Sequence, residues 1–254
     1  MASYRRGIPV FLTVLMVAGF FQLPAAAQSN DDSDLRKEVD QLRTQMKSVQ
    51  SELDQIRTVL REQSARSNPV FDIGGDPSMG DASAKLVLID FSDFECPFCL
   101  DYFKTVYHQL IENYVNTGKV RYVFADFPGE KIHPHAFKAA EAARCSNEQG
   151  KFWGMHDQLF TRQRELGTTG IQDAARAAGL NEPQFESCLS AGKYTAAVRD
   201  AEDAAAKLGI QGTPAFGLGT PDPANPSKIK LLRALVGAQP YAVFQQAIDN
   251  LLPK

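Results

Sequence analysis

The stretch from Leu86 to Cys99 limits the fold more than any other part of the chain. Leu86-Val87-Leu88-Ile89-Asp90-Phe91 is a short, nearly continuous apolar run, the pattern of a buried strand. Cys96-Pro97-Phe98-Cys99 follows closely, and from Cys99 to Tyr114 the apolar residues fall at helical spacing. Val120-Arg121-Tyr122-Val123-Phe124 then reads as a second strand. Strand, helix, strand is the parallel crossover unit, so the fold class is α/β.

The rest of the chain fits one such domain over 68–254. The stretch 70–83, with Gly74-Gly75 and Asp76-Pro77, reads as a loop. A helical block occupies about 133–208. Within it, 136–160 is rich in Ala, 171–178 stops at Gly179, 182–189 carries Pro183 in its first turn, and 194–208 ends at Gly209. Two strands, 215–218 and 228–236, are joined by a turn with Pro221, Pro223 and Pro226, and a helix over 241–252 follows. Of the 254 residues 44% are hydrophobic and 22% charged, with a formal net charge of -3. That balance is ordinary for a globular chain and gives no sign of nucleic-acid binding.

The N-terminal part has a different character. Arg5 and Arg6, the apolar run Ile8 to Phe21 and Ala25-Ala26-Ala27 compose a signal peptide over 1–27, cut after Ala27. The alternative is an uncleaved membrane anchor, for which the run is short. Export places the mature chain in the periplasm, where disulfides persist. Within 28–67, Leu35, Val39, Leu42, Met46, Val49, Leu53, Ile56 and Leu60 alternate steps of four and three. That is a heptad seam, with Val39, Met46, Leu53 and Leu60 at a and the others at d. Glu38 with Arg43 and Glu52 with Arg57 fall at g and the following e, which suits parallel chains in register. The expectation is a coiled coil joining copies of the chain through Leu35–Leu60, against the alternative of a helix packed on its own domain.

Two cysteines spaced C-x-x-C are half a metal site, a staple or a redox pair. A zinc site needs a second pair or suitably spaced histidines, and His108, His133, His135 and His156 do not supply that spacing. Metal handling by Cys96, Cys99 and a nearby histidine stays as an alternative, as does an inactive pair on a coil-displayed interaction domain. A four-residue ring constrains the unfolded chain little, which argues against a staple. Position argues for redox chemistry. Cys96 opens a helix, where free N–H groups and the helix dipole favour a thiolate, while Cys99 lies one turn inside. Pro97 costs that helix nothing, having no N–H where none is needed. Glu95, beside the nucleophile, reads as solvated, and no cofactor is expected.

The order strand, C-P-x-C at a helix start, helical block, then Gly212-Thr213-Pro214-Ala215-Phe216 before a strand resembles the DsbA family of thiol–disulfide oxidoreductases. The resemblance covers about residues 70 to 254. It implies a thioredoxin fold with an inserted helical block. It does not cover the coiled-coil helix that precedes the domain, although oligomeric relatives, the ScsC-like and DsbC-like proteins, attach an N-terminal association element. It implies a redox-active Cys96–Cys99 disulfide, with Cys96 the nucleophile and Cys99 the resolving thiol. Thr213 and Pro214 would form the cis-proline loop that binds substrate backbone. Asp90 matches a buried acid that would relay protons to Cys99, a strand-end acid being the alternative. Cys145 and Cys188 remain, and a structural disulfide between them is the simplest pairing, with two free thiols as the other reading. The partners implied are cysteine-containing exported proteins and a membrane redox partner that resets the dithiol. Thr before the proline resembles the reductase and isomerase members more than the Val of the oxidases, so the expectation is isomerase or mixed activity.

Overall fold

The computed structural model describes residues 26–66, 68–167 and 169–253, with the side chains of 26–32 and 58–66 left aside. The expected signal segment lies outside the described residues save for Ala26 and Ala27. The chain divides into two compact units, Met1–Glu62 and Gln63–Lys254.

One helix, α1, runs Ala26–Arg66, and its residues 26–62 are the described part of the first unit. Its heptad residues Leu35, Val39, Leu42, Met46, Val49, Leu53 and Ile56 are all at least 38% exposed. Within the helix, Lys37 pairs with Asp34 and Arg43 with Asp40 at 2.9 and 3.4 Å. Such exposed pairs contribute only tenths of a kcal/mol each.

In the second unit six described strands form one sheet in the order β1-β6-β5-β3-β4-β2. Its centre is β3 (Leu86–Ser92), parallel to β4 (Val120–Asp126) and antiparallel to β5 (Ala215–Pro221), which forms a hairpin with β6 (Lys228–Val236). All seven residues of β3 are buried, as a strand covered on both faces must be. Alternation sends Leu86 and Leu88 into one core and Val87, Ile89 and Phe91 into the other. Burying each such side chain contributes about 1.5–3 kcal/mol.

The loop expected over 70–83 holds two short strands instead. These are β1 (Val70–Asp72), antiparallel to β6, and β2 (Ser78–Met79), antiparallel to β4. Strands of three and two residues carry no periodicity, so only the finished sheet edges create them.

Between β3 and β4 the chain is helical over 97–115: α2 (Pro97–Tyr102), a π turn (Phe103–Tyr107), α3 (His108–Leu110) and a second π turn (Ile111–Val115). The helical block comprises α4 (Ala136–Asn147), α5 (Phe152–Thr161), a 3₁₀ turn (Gln163–Glu165), α6 (Gly170–Ala177), α7 (Glu182–Ser190) and α8 (Thr195–Lys207). The expected helix over 136–160 is thus two helices. It breaks at Gly150, whose φ of 66° is left-handed and suits glycine. Helix α7 is capped by Asn181, whose side chain accepts the Gln184 N–H. Helix α9 (Tyr241–Asp249) adds Phe244, Ala247 and Ile248 to the larger core. Cys145 of α4 and Cys188 of α7 are joined, their Cα atoms 5.9 Å apart.

Two buried carboxylates hold the block to the sheet. Arg144 of α4 donates from Nε to Asp126 at the end of β4 and from Nη2 to Asp76 at 2.8 Å. Burial pushes Asp76 up to about 6 and raises Asp126, against the opposing pull of Arg144 on both.

Candidate active site

The chain leaves β3 at Ser92 and turns tightly into α2. Asp93 builds that turn. Its carbonyl accepts the Cys96 N–H at 3.1 Å and its Oδ1 accepts the Glu95 N–H at 2.7 Å, an Asx turn. Its Oδ2 accepts the Gly129 N–H at 2.8 Å and faces His133 Nδ1 at 2.6 Å. A Cβ at Gly129 would lie 3.3 Å from both Asp93 Oδ2 and His133 Nδ1, so glycine permits this close approach. Glu95, expected to be solvated, is half-exposed, and its Oε2 also accepts the His135 N–H at 2.6 Å.

Cys96 therefore stands at the N-cap of α2, with extended backbone, φ -72° and ψ 124°, and Pro97 after it. Its thiol is pulled down to about 6. The Cys99 thiol hydrogen-bonds it, burial opposes, and the Thr213 side chain and the N–H groups of Cys99 and Phe98 add to the lowering. Cys99 is fully buried, and burial drives its thiol well up, with Cys96 and Asp90 adding to the rise. The two cysteines are free thiols with opposite chemistry: one ionises near neutrality and the other keeps its proton. Phe98, between them, is 65% exposed.

From the other side, Cys96 Sγ lies 3.4 Å from the carbonyl oxygen of Thr213. The Thr213–Pro214 peptide bond is cis, and Pro214 O accepts the Gly237 N–H at 2.8 Å where β5 begins.

Asp90 lies on the β3 face that carries Leu88, the face toward Cys99. It is 1% exposed, and its Oδ2 accepts the Tyr122 hydroxyl at 2.6 Å, with the Tyr102 hydroxyl 3.4 Å from that of Tyr122. Burial pushes Asp90 up to about 7, against the Tyr122 hydrogen bond and the nearby Ser92 side chain, which lower it. Its Oδ1 and the Ser92 hydroxyl have no hydrogen-bond partner within the protein.

Sequence reasoning missed Asp93, His133 and Tyr122. An Asp opening a turn before a helix is a signal that was there to be read for the first. The other two are selected only by pairing across 40 and 32 residues. His156, a candidate for metal handling, is buried among Phe94, Phe103, Phe124, Phe160 and Trp153, with Nδ1 2.8 Å from Asp157 Oδ1. Burial lowers its pKa. Among the described residues no three His, Cys, Asp or Glu side chains group in a way that could hold a metal. None of the described helices is long and apolar enough to cross a membrane.

A family model described as thioredoxin matches residues 72–238. The chain belongs to the thioredoxin family. Alpha-DsbA1 of Wolbachia pipientis, as a crystal structure, superposes on this thioredoxin-family domain with a TM-score of 0.61 and 24% identity, over 69% of this chain and 90% of that one. A relative from Bacillus anthracis named probable disulfide bond formation protein D is 26% identical over 63% of this chain and 76% of its own length. A Salinispora tropica protein named Na(+)/H(+) antiporter NhaA 3 is 33% identical over 161 residues, 63% of this chain and 24% of that relative. The chain thus spans about a quarter of the curated relatives it matches first. The thioredoxin fold, the inserted helical block and the likeness to DsbA expected from the sequence are borne out.

Proposed function

We propose that the chain is a thiol–disulfide oxidoreductase acting on cysteines of exported, periplasmic proteins, as a disulfide isomerase or a mixed oxidase and isomerase. The observation that carries this reading is Cys96: an acidic thiol at a helix start, beside a buried thiol that keeps its proton and facing the cis Thr213–Pro214 peptide.

In isomerisation the Cys96 thiolate attacks a client disulfide, one client sulfur leaves as thiolate, and a mixed disulfide forms. That client thiolate then attacks another client disulfide, and a client thiolate finally displaces Cys96. Net oxidation does not change. In oxidation a client thiolate attacks Cys96 of the Cys96–Cys99 disulfide, and the bonding electrons leave on Cys99. Asp90, poised near neutrality, gives Cys99 its proton. A second client thiolate releases Cys96, and the client's two electrons rest on the dithiol until a membrane redox partner removes them. Thr213 and Pro214 hold the client backbone beside Cys96, as the DsbA resemblance implies.

The isomerase side rests on the heptads. The apolar seam of α1 is exposed along its described length, and its flanking charges are complementary between parallel copies. A second copy of the chain is its occupant, and several sites on one particle hold a client while bonds exchange.

Two measurements test this. Cys96 should be alkylated selectively at mildly acidic pH, and a protein without an acidic thiol refutes the enzyme reading. Leu42→Lys with Val49→Lys should give monomers by sedimentation and lose most refolding of a scrambled-disulfide substrate while still oxidising a dithiol peptide. Unchanged isomerisation by monomers refutes the link between coil and shuffling and leaves a plain dithiol oxidase.

A further inference from the structure

Gln163 lies in the 3₁₀ turn after α5, in the helical block and 67 residues from Cys96. Its Nε2 donates to two carbonyls at once, Phe94 O and Cys96 O, each at 2.9 Å. Those carbonyls bracket the backbone of Glu95 and Cys96. The Cys96 carbonyl also accepts the Leu100 N–H at 3.1 Å, the bond that starts α2. One side-chain amide therefore fixes the peptide groups that flank the Glu95–Cys96 pair, 94–95 and 96–97.

We propose that Gln163 is a positioning residue for the Cys96 nucleophile, through which the helical block sets the orientation of the active-site turn. This rests on Cys96 being the attacking thiol. The thiolate is held by N–H groups of Phe98 and Cys99, which help only while they stay aimed at the sulfur. A carbonyl oxygen is the opposite pole and repels a thiolate. Held by the Gln163 amide, the Phe94 and Cys96 carbonyls do not swing toward the sulfur, and part of their negative charge is taken up. Asp93 fixes the same turn from the loop at Gly129, so Gln163 tunes a turn already built and its loss leaves the fold in place.

The test uses the full reduced chain and two variants. Gln163→Met keeps the length and removes the donors. Gln163→Glu keeps the shape, removes the donors and adds a negative charge. Thiolate absorbance is followed against pH, with the rate of Cys96 alkylation at about pH 5 and the melting temperature of each protein. In Gln163→Met the titration midpoint rises by about half a unit and alkylation slows about threefold. In Gln163→Glu both effects are larger, because a nearby like charge disfavours the thiolate. An acidic wild-type thiol whose titration is unmoved in either folded variant overturns this role, even if the melting temperature falls. A wild type without an acidic thiol overturns the oxidoreductase reading and this role together.

Discussion

Replacing Asp90 by Asn should make the protein more stable at alkaline pH while making its chemistry slower. Asp90 sits near 7 in the folded protein against an ordinary 3.8, because burial penalises its charge more than Tyr122 and Ser92 relieve it. A carboxyl whose folded pKa is raised stabilises the fold least when ionised. Between 3.8 and about 7 the folded state binds the extra proton, so stability falls as pH rises through that window. At ~1.4 kcal/mol per unit, the loss is on the order of 4 kcal/mol by pH 8. Asn removes the charge and keeps an oxygen for the Tyr122 hydroxyl. Below about pH 4 the two proteins should therefore be equally stable, and the variant should gain steadily to about pH 8. Denaturant unfolding of the oxidised proteins measures this, since the Cys96–Cys99 bond removes both thiols from the titration. Asp76, Asp126 and His156 are common to both proteins and cancel in the difference. In the same variant, attack of a client thiolate on the oxidised protein, the step in which Cys99 leaves and takes the Asp90 proton, should slow roughly a hundredfold near neutral pH. A stability difference that is flat from pH 4 to 8 would refute the reasoning, because Asp90 would then not hold a proton the unfolded chain releases.

Two further outcomes follow from the frame around the site. Arg144→Ala should cost about 3–5 kcal/mol, because it strands the buried Asp126 and Asp76 carboxylates. The cost should be smaller at pH 5 than at pH 8, where both must stay ionised, and chemical denaturation at the two values checks it. Cys145→Ala with Cys188→Ala opens a loop of 43 residues and should lower stability by up to about 4 kcal/mol. Exchange activity at low temperature should persist, measured by reduction of a disulfide peptide.

What was legible in the sequence was whatever residue type and spacing carry locally. The run from Leu86 to Phe91 could only be a doubly covered strand, and Cys96-Pro97 could only sit at a helix start. The β5–β6 hairpin followed from proline punctuation, although the break in register between Leu218 and Gly219 did not. What was not legible depends on partners distant in sequence. Val70–Asp72 and Ser78–Met79 are too short to announce themselves and become strands because β6 and β4 offer free edges. Nothing near Glu95 in the sequence hints that the His135 N–H would reach its carboxylate. Gln163 is an ordinary residue until the helical block folds back over Cys96.

The strand register ties the two thiols to the acid. Leu88 and Asp90 share the β3 face that looks onto α2, and parallel pairing puts Tyr122 beside Leu88 and Phe124 beside Asp90 on that same face. Cys99 and Tyr102, one turn apart on α2, descend onto it. A slip of one residue in β3 would turn Asp90 to the opposite core, away from both Cys99 and the tyrosine hydroxyls. Nothing else in the strand could replace it, since its other buried residues are apolar except Ser92. The apolar residues of β3 that fix the register therefore also fix the chemistry. In the proposed chemistry Cys96, itself buried at the start of α2, would ionise there, and Cys99 below would take its proton from Asp90, which the core holds near 7.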